Sequence, residues 1–327
     1  ANSGSVTIDF TAPTLSSVGI ATAGTGNANN GDDITLSFTA SEGIQTPTCT
    51  IKDGGGNTMD NTVSVTEGSS NAWTCVVDTH DNDADGAVTF SIAFTDDAGN
   101  AGTADTSVDD GSSVTIDNTH PTLTNIVMST DGNTGFAKSG DTITLTITAS
   151  ESVTALACTI DGESATMGGS GTSWTAALQM SGDESAGAAT FSCASHTDAA
   201  GNTGTADTTA NSGSVTIDFT APTLSSVGIA TAGTGNANNG DDITLSFTAS
   251  EGIQTPTCTI KDGGGNTMDN TVSVTEGSSN AWTCVVDTHD NDADGAVTFS
   301  IAFTDDAGNA GTADTSVDDG SSVTIDN

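Results

Sequence analysis

Residues 88–94 read VTFSIAF, in which Val88, Phe90, Ile92 and Phe94 alternate with Thr89, Ser91 and Ala93. A period of two puts one side of a strand against a core and the other toward water. The same parity places Ile34, Leu36 and Phe38 inside, and further along it adds Trp73 and Val77. Turn-forming Gly, Asn, Asp and Ser separate these runs. No segment keeps a helical apolar period, and so much Gly, Thr and Asn disfavours one. About seven short strands recur in each stretch of the chain, the pattern of an all-β protein built from β-sandwiches, for which Greek-key topology is assumed.

The layout follows from an internal repeat. Residues 1–118 recur unchanged as residues 210–327, a period of 209. A weaker period lies inside it: IDFTAPTLSSVGIA at 8, IDNTHPTLTNIVMS at 116 and IDFTAPTLSSVGIA at 217 each open a unit. Each opening is followed by GDDITLSFTASE or GDTITLTITASE, and later by DDAGN or DAAGN. Residues 11–118 are a type A domain, 119–219 type B and 220–327 type A again, arranged as a linear rod. Residues 1–10 read as the final strand of a preceding repeat, or as a donor strand. Each sandwich is expected to span about 40 Å.

The cysteines agree with this register. Cys49 is in phase with Ile51 and Cys75 with Trp73, so both thiols face one core. In the B unit Cys158 aligns with Cys49, but Ala176 takes the second slot and Cys193 replaces Ile92, still facing inward. One bridge per domain is expected: Cys49 to Cys75, Cys158 to Cys193 and Cys258 to Cys284. Closing such loops is worth roughly 3–4 kcal/mol in the chain-entropy model, and paired cysteines imply an oxidising, extracellular setting. The rival readings are a free-thiol core and a metal site, the latter disfavoured by the lack of CxxC spacing.

Charge narrows the range of partners. With 43 acidic residues against three lysines and no arginine, the formal charge is −40 and the isoelectric point about 4.1. Nucleic acid and anionic membrane surfaces meet almost no cation here, and no apolar run approaches the roughly 20 residues of a membrane span. Regular Val, Ile, Leu and Phe argue against disorder. No N-x-[ST] sequon occurs, so N-glycosylation is not expected and O-glycosylation stays open. Cations are the natural company of such a chain.

The units resemble the tandem bacterial immunoglobulin-like repeats of large calcium-dependent surface and biofilm adhesins, including those of the RTX-adhesin kind. The likeness rests on GDTITLTITASE at 140–151, DAAGNTGTAD at 198–207 and VTIDFTAPT at 215–223, with their counterparts in both A units. It covers essentially the whole chain, and its motifs point to the repeat class rather than to one member. The resemblance implies a rod of domains stiffened by calcium at the junctions, with ligand binding or anchoring elsewhere in the polypeptide.

Two sets of carboxylates are candidates for such sites. In THDNDADG, Asp81, Asp83 and Asp85 alternate ahead of Gly86, like the opening half of an EF-hand loop. The closing glutamate is absent, since Ile92 stands in its place. The third unit repeats this as Asp290, Asp292 and Asp294, whereas the B unit has only Asp183 and Glu184 in GDESAG and is expected to bind weakly or not at all. Alternating strand directions also bring the linker and the loops after the second and sixth strands to one pole. That pole carries Asp9, Glu42, Asp96 and Asn100 in the first unit, Asp117, Glu151, Asp198 and Asn202 in the second, and Asp218, Glu251, Asp305 and Asn309 in the third. Two acidic poles then face each other at every joint, and calcium would relieve their repulsion. The competing reading makes these acids turn formers bonded to local amides.

Enzymatic chemistry has little support. His80, His289, His120 and His196 read as surface residues without a nucleophile beside them in both A copies. A glycosidase-like carboxylate pair would need a cleft and sugar-stacking aromatics, and tyrosine is absent. Lys52 and Lys138 sit in different strand contexts, against an isopeptide crosslink. The leading expectation is a structural repeat of an extracellular adhesin stalk or surface filament. Its partners would be neighbouring repeats of the same chain or identical subunits. The alternatives are a filament subunit joined by donor-strand exchange and a carbohydrate- or protein-binding Ig-like module. Letter-for-letter identity of the A copies fits a spacer better than a recognition surface.

Overall fold

The structure is a computed structural model that describes residues 8–24, 26–59, 62–268 and 271–327. The N-terminal segment expected to close a preceding repeat therefore lies outside the described residues up to residue 7. The described residues contain strands and turns but no helix.

In the first unit β1 (Leu15–Thr22), β3 (Asp33–Ala40), β6 (Ala72–Asp78) and β5 (Ser64–Glu67) form one antiparallel sheet in the order β1-β3-β6-β5. Facing it, β4 (Thr48–Lys52) pairs with β8 (Thr89–Ala93). The final strand β9 (Thr115–Ile116) lies parallel to β2 (Asn27–Ala28) and antiparallel to β7 (Gly86–Ala87). Four strands over a smaller sheet, with crossovers between the layers, make an Ig-like sandwich. The second unit runs from β10 (Leu123–Thr130) through β11 (Phe136–Ala137), β12 (Thr142–Val153), β13 (Cys158–Ile160), β14 (Glu163–Ser164), β15 (Thr166–Gln179), β16 (Gly187–Ala188), β17 (Phe191–Cys193), β18 (His196–Thr197) and β19 (Thr203–Gly204) to β20 (Thr216–Ile217). The third unit repeats the first, from β21 (Leu224–Thr231) to β29 (Thr324–Ile325).

The alternation of β3 is the core of the first unit: Ile34, Leu36 and Phe38 are at most 1% exposed. They stand opposite Val77, Cys75 and Trp73 of β6 in register. Two departures from simple parity have local causes. On β1 Leu15 and Ile20, five residues apart, both face the core, because the register to β3 shifts between Ser16 and Gly19, with Ser17 at φ 55°; Gly19, opposite Ser37, is buried under Asp110. A bulge inserts one unpaired residue and re-aims those that follow. The run 88–94, expected as one strand, breaks at Val88: Gly86–Ala87 joins β9 and Thr89–Ala93 joins β4. The Val88 N–H donates to the Val114 carbonyl at the changeover.

The bridges differ between unit types. Cys49–Cys75 and Cys258–Cys284 link the two layers, with Cα atoms 6.4 Å apart. Cys158–Cys193 joins directly paired residues of neighbouring strands in one sheet, with Cα atoms 4.0 Å apart.

Candidate metal centres at the domain junctions

Each unit carries one carboxylate triad at the end where the chain enters it. The triads are Asp9, Glu42 and Asp96; Asp117, Glu151 and Asp198; and Asp218, Glu251 and Asp305, and within each the potential ligand oxygens all lie within 4.8 Å of one another. The first member comes from the linker, the second from the end of the second long strand, and the third from the DDAGN or DAAGN turn. Asp117 directly follows the core residue Ile116, and Asp218 follows Ile217.

Local hydrogen bonds set this geometry. In the first unit Asp96 Oδ1 accepts from the Asn100 N–H at 2.8 Å, and Asn100 Nδ2 donates to Asp96 Oδ2 at 2.7 Å. Gly99 completes the turn at φ 94°, a conformation that suits a residue without Cβ. The same asparagine amide reaches the linker, donating to the carbonyl of Asp9 at 3.2 Å. Asn202 and Asn309 bind the carbonyls of Asp117 and Asp218 in the same way, at 2.7 and 2.9 Å. The asparagines expected to act as oxygen ligands thus serve, through their NH2 groups, as clamps that fix the linker to the loop.

The Asn100 amide holds the Asp96 carboxyl below the usual range, outweighing the opposing effect of burial. The glutamates are pushed the other way. Burial, then the charges of Asp9 and Asp96, raise Glu42, and burial, then Asp218 and Asp305, raise Glu251. Glu151 is raised by burial, then by Asp117, Asp198 and Asp85, with His120 opposing. Asp117 is raised by burial against the N–H of Thr119, with Asp198 and Asp85 adding to the rise. Asp85 therefore brings a charge from the first unit to the triad of the second. Glu151 Oε1 is moreover a buried oxygen without a hydrogen-bond partner. Clustered, mutually repelling hard oxygens fit a hard divalent cation, and calcium in particular takes such ligands.

The second candidate set forms no such group among the described residues. Asp83, 7% exposed, accepts from the His80 N–H at 2.7 Å. Asp85 accepts from the Asn118 N–H at 2.7 Å and from the Thr119 hydroxyl at 2.6 Å. Asp81 is exposed. In the third unit Asp292 accepts from the His289 N–H and Asp294 from the Asn327 N–H, and Asp290 is exposed. These loops are hydrogen-bonded turns, and sequence spacing missed the residue that anchors each of them. Asp53, 4% exposed, accepts from the N–H groups of Ala84 and Asn57, and these bonds hold its carboxyl low. Asp262 does the same in the third unit. In the B unit, burial raises Glu184, but the N–H groups of Ser181, Glu184 and Gly182 outweigh it and bring the carboxyl to about 2.

His196 departs from its expected surface position. It is 2% exposed, and it fits because its strand partner is Gly204, where a Cβ would lie 2.4 Å from His196 Nε2. His80, His120 and His289 are exposed.

An acidic pair outside the junctions yields a pH prediction. Asp33 and Asp78 face each other across β3 and β6, and Asp33 is raised chiefly by a hydrogen bond shared with Asp78. Asp242 and Asp287 repeat the pair, while the B unit has Thr142 opposite Gln179. A carboxyl raised in the folded state favours the protonated fold, so its stabilisation is complete below the unfolded value and is lost as pH rises through the folded value. Asp78→Asn is expected to raise the melting temperature of the first unit at pH 7, with the advantage shrinking as pH falls through the raised value of Asp33 and gone below about 4. Thermal scans across pH check this, and a pH-independent difference would rule it out.

No family model matches the chain, and no curated protein matches it. Among solved structures, a tandem repeat in the extending region of a large adhesion protein is 19% identical with a TM-score of 0.34, covering 96% of this chain and 75% of that one. A titin fragment of tandem domains is 12% identical with a TM-score of 0.36, covering 94% and 98%. A marsupial T cell receptor is 10% identical with a TM-score of 0.35, covering 92% and 99%. The sandwich assignment stands on the strand pairing of this chain itself.

Proposed function

We propose that the chain is a structural repeat region of an extracellular adhesin stalk or surface filament, stiffened by calcium at its junctions and by one disulfide in each domain. The observation that carries this reading is the recurrence of one carboxylate triad at the entry pole of every unit, always including the linker aspartate. A linker that contributes a ligand cannot swing without giving that ligand up. Calcium would supply the divalent charge that lets the three carboxylates stay ionised side by side.

The chain's own groups do the rest. The Asn100, Asn202 and Asn309 amides fix the linker carbonyls, and the Asp96, Asp198 and Asp305 turns present their carboxylates toward the strand-end glutamates. The three bridges fit an oxidising, extracytoplasmic compartment. A net charge of −40 keeps neighbouring filaments apart and leaves cations as the readily accepted ligands.

Calcium at a hundredfold excess over its dissociation constant is expected to stabilise each loaded unit by about 2.7 kcal/mol. Differential scanning calorimetry with calcium and with chelator reads this as a rise in melting temperature. The benefit should fade as pH falls, because protons compete for the raised glutamates. Superimposable scans with calcium and with chelator would end the calcium reading.

A further inference from the structure

The two joints of this chain are built from different chemistry. At the joint from the second unit to the third, Lys138 Nζ donates to the Gly308 carbonyl at 2.8 Å, and Asn133 Nδ2 donates to the Asp306 carbonyl at 3.0 Å. Both acceptors belong to the DDAGN turn that supplies Asp305 to the third triad. Lys138 is the single basic residue with permanent charge in its unit, and its contact is partly buried. Gly308 is at φ 89°, and a Cβ there would lie 3.1 Å from Asn133 Nδ2 and 3.4 Å from Lys138 Nζ. Phe219 adds packing against the core of the second unit from the same linker.

The joint from the first unit to the second lacks this ammonium. The position matching Lys138 is Asn29, and the linker carries polar Asn118 in place of Phe219. Here Asp85 adds a fourth negative charge to the triad of Asp117, Glu151 and Asp198, a charge for which the second unit has only Ala186 at the matching place.

We propose that the second unit carries a latch onto the unit after it, in which Lys138 supplies from within the chain the positive charge that the other joint must take from solution. The joint out of the B unit then stays closed without divalent cation, and the joint into it closes only when cation is bound. Chelation would loosen alternate joints, one in each 209-residue period. The second half of this statement rests on the calcium reading above; the latch itself does not.

The test uses the full chain with small fluorophores placed on exposed positions by click chemistry. Labels at Glu67 and Glu163 report the first joint, and labels at Glu163 and Glu276 the second. Single-molecule distance distributions are recorded in calcium and in chelator. In the unmodified chain, chelator should broaden the first distribution and leave the second narrow. Lys138→Met keeps the apolar stem and removes the charge, and in chelator it should raise the open population of the second joint roughly tenfold. Lys138→Arg, which retains a donor, should restore it at least in part. Equal broadening of both joints in the unmodified chain, or a Lys138→Met joint that stays narrow in chelator, overturns the latch. A first joint indifferent to calcium, with Lys138→Met still opening the second, sinks the calcium reading and leaves the latch standing.

Discussion

Removing the bridge of the second unit, by Cys158→Ala together with Cys193→Ala, is expected to lower the unfolding midpoint of that unit by roughly 15–30 °C. The bridge spans a sequence separation of 35 residues, and closing a loop of that size in the unfolded chain is worth about 3.8 kcal/mol. The two A-type units keep their own bridges, spanning 26 residues each, so their transitions should stay in place and serve as internal references. Each unit has its own hydrophobic core, so calorimetry is expected to resolve separate transitions. The same bridges leave a mechanical record. When the chain is pulled from its ends, each intact bridge hides the enclosed residues, about 120 Å of contour in the second unit and about 90 Å in the others. Single-molecule extension of the double variant should recover that hidden length in one unit only. A midpoint shift below about 5 °C would mean that loop closure does not set the stability of this unit.

Phe38→Ala is expected to cost the first unit about 3–5 kcal/mol. The ring is 1% exposed and stands opposite Trp73, itself 5% exposed, so truncation opens a cavity where two strands and an aromatic pair meet. A domain of this size has about 5–15 kcal/mol in total, so the loss is a large share of it. Phe247 occupies the same place in the identical third unit. Two transitions that nearly coincide in the unmodified chain should therefore separate by 10 °C or more, by the order of magnitude that links free energy to midpoint. Thr35→Ala, on the opposite face of the same strand, should move the midpoint little. Failure of the two A-type transitions to separate would show that Phe38 does not anchor the core.

Much of this architecture was legible in the residues. Strict alternation fixes the buried face of β3, and cysteines in phase with that face can meet only inside the sandwich. The triads were readable as well, because the linker, strand-end and turn carboxylates recur at matching places in all three units. What sequence spacing hid has physical reasons. The positive φ at Ser17 and the sheet change at Val88 are backbone events that leave the apolar pattern nearly intact. Asp53 lies far along the chain from the loop it anchors, so nothing local marks it. His196 is buried only because its neighbour across the hairpin is a glycine. Lys138 shows its role only when the next domain stands beside it.

Ile116 sits in the core of the first unit and the next residue, Asp117, belongs to the triad of the second; Ile217 and Asp218 repeat this at the following joint. Fraying of a closing strand therefore withdraws an aspartate from the neighbour's triad, and loosening of that triad frees the end of the strand. The free energy of such an array is a sum of unit terms and nearest-neighbour terms, as in a one-dimensional lattice. Interior repeats are then held from both sides and terminal ones from one side, so melting starts at the tips and travels inward.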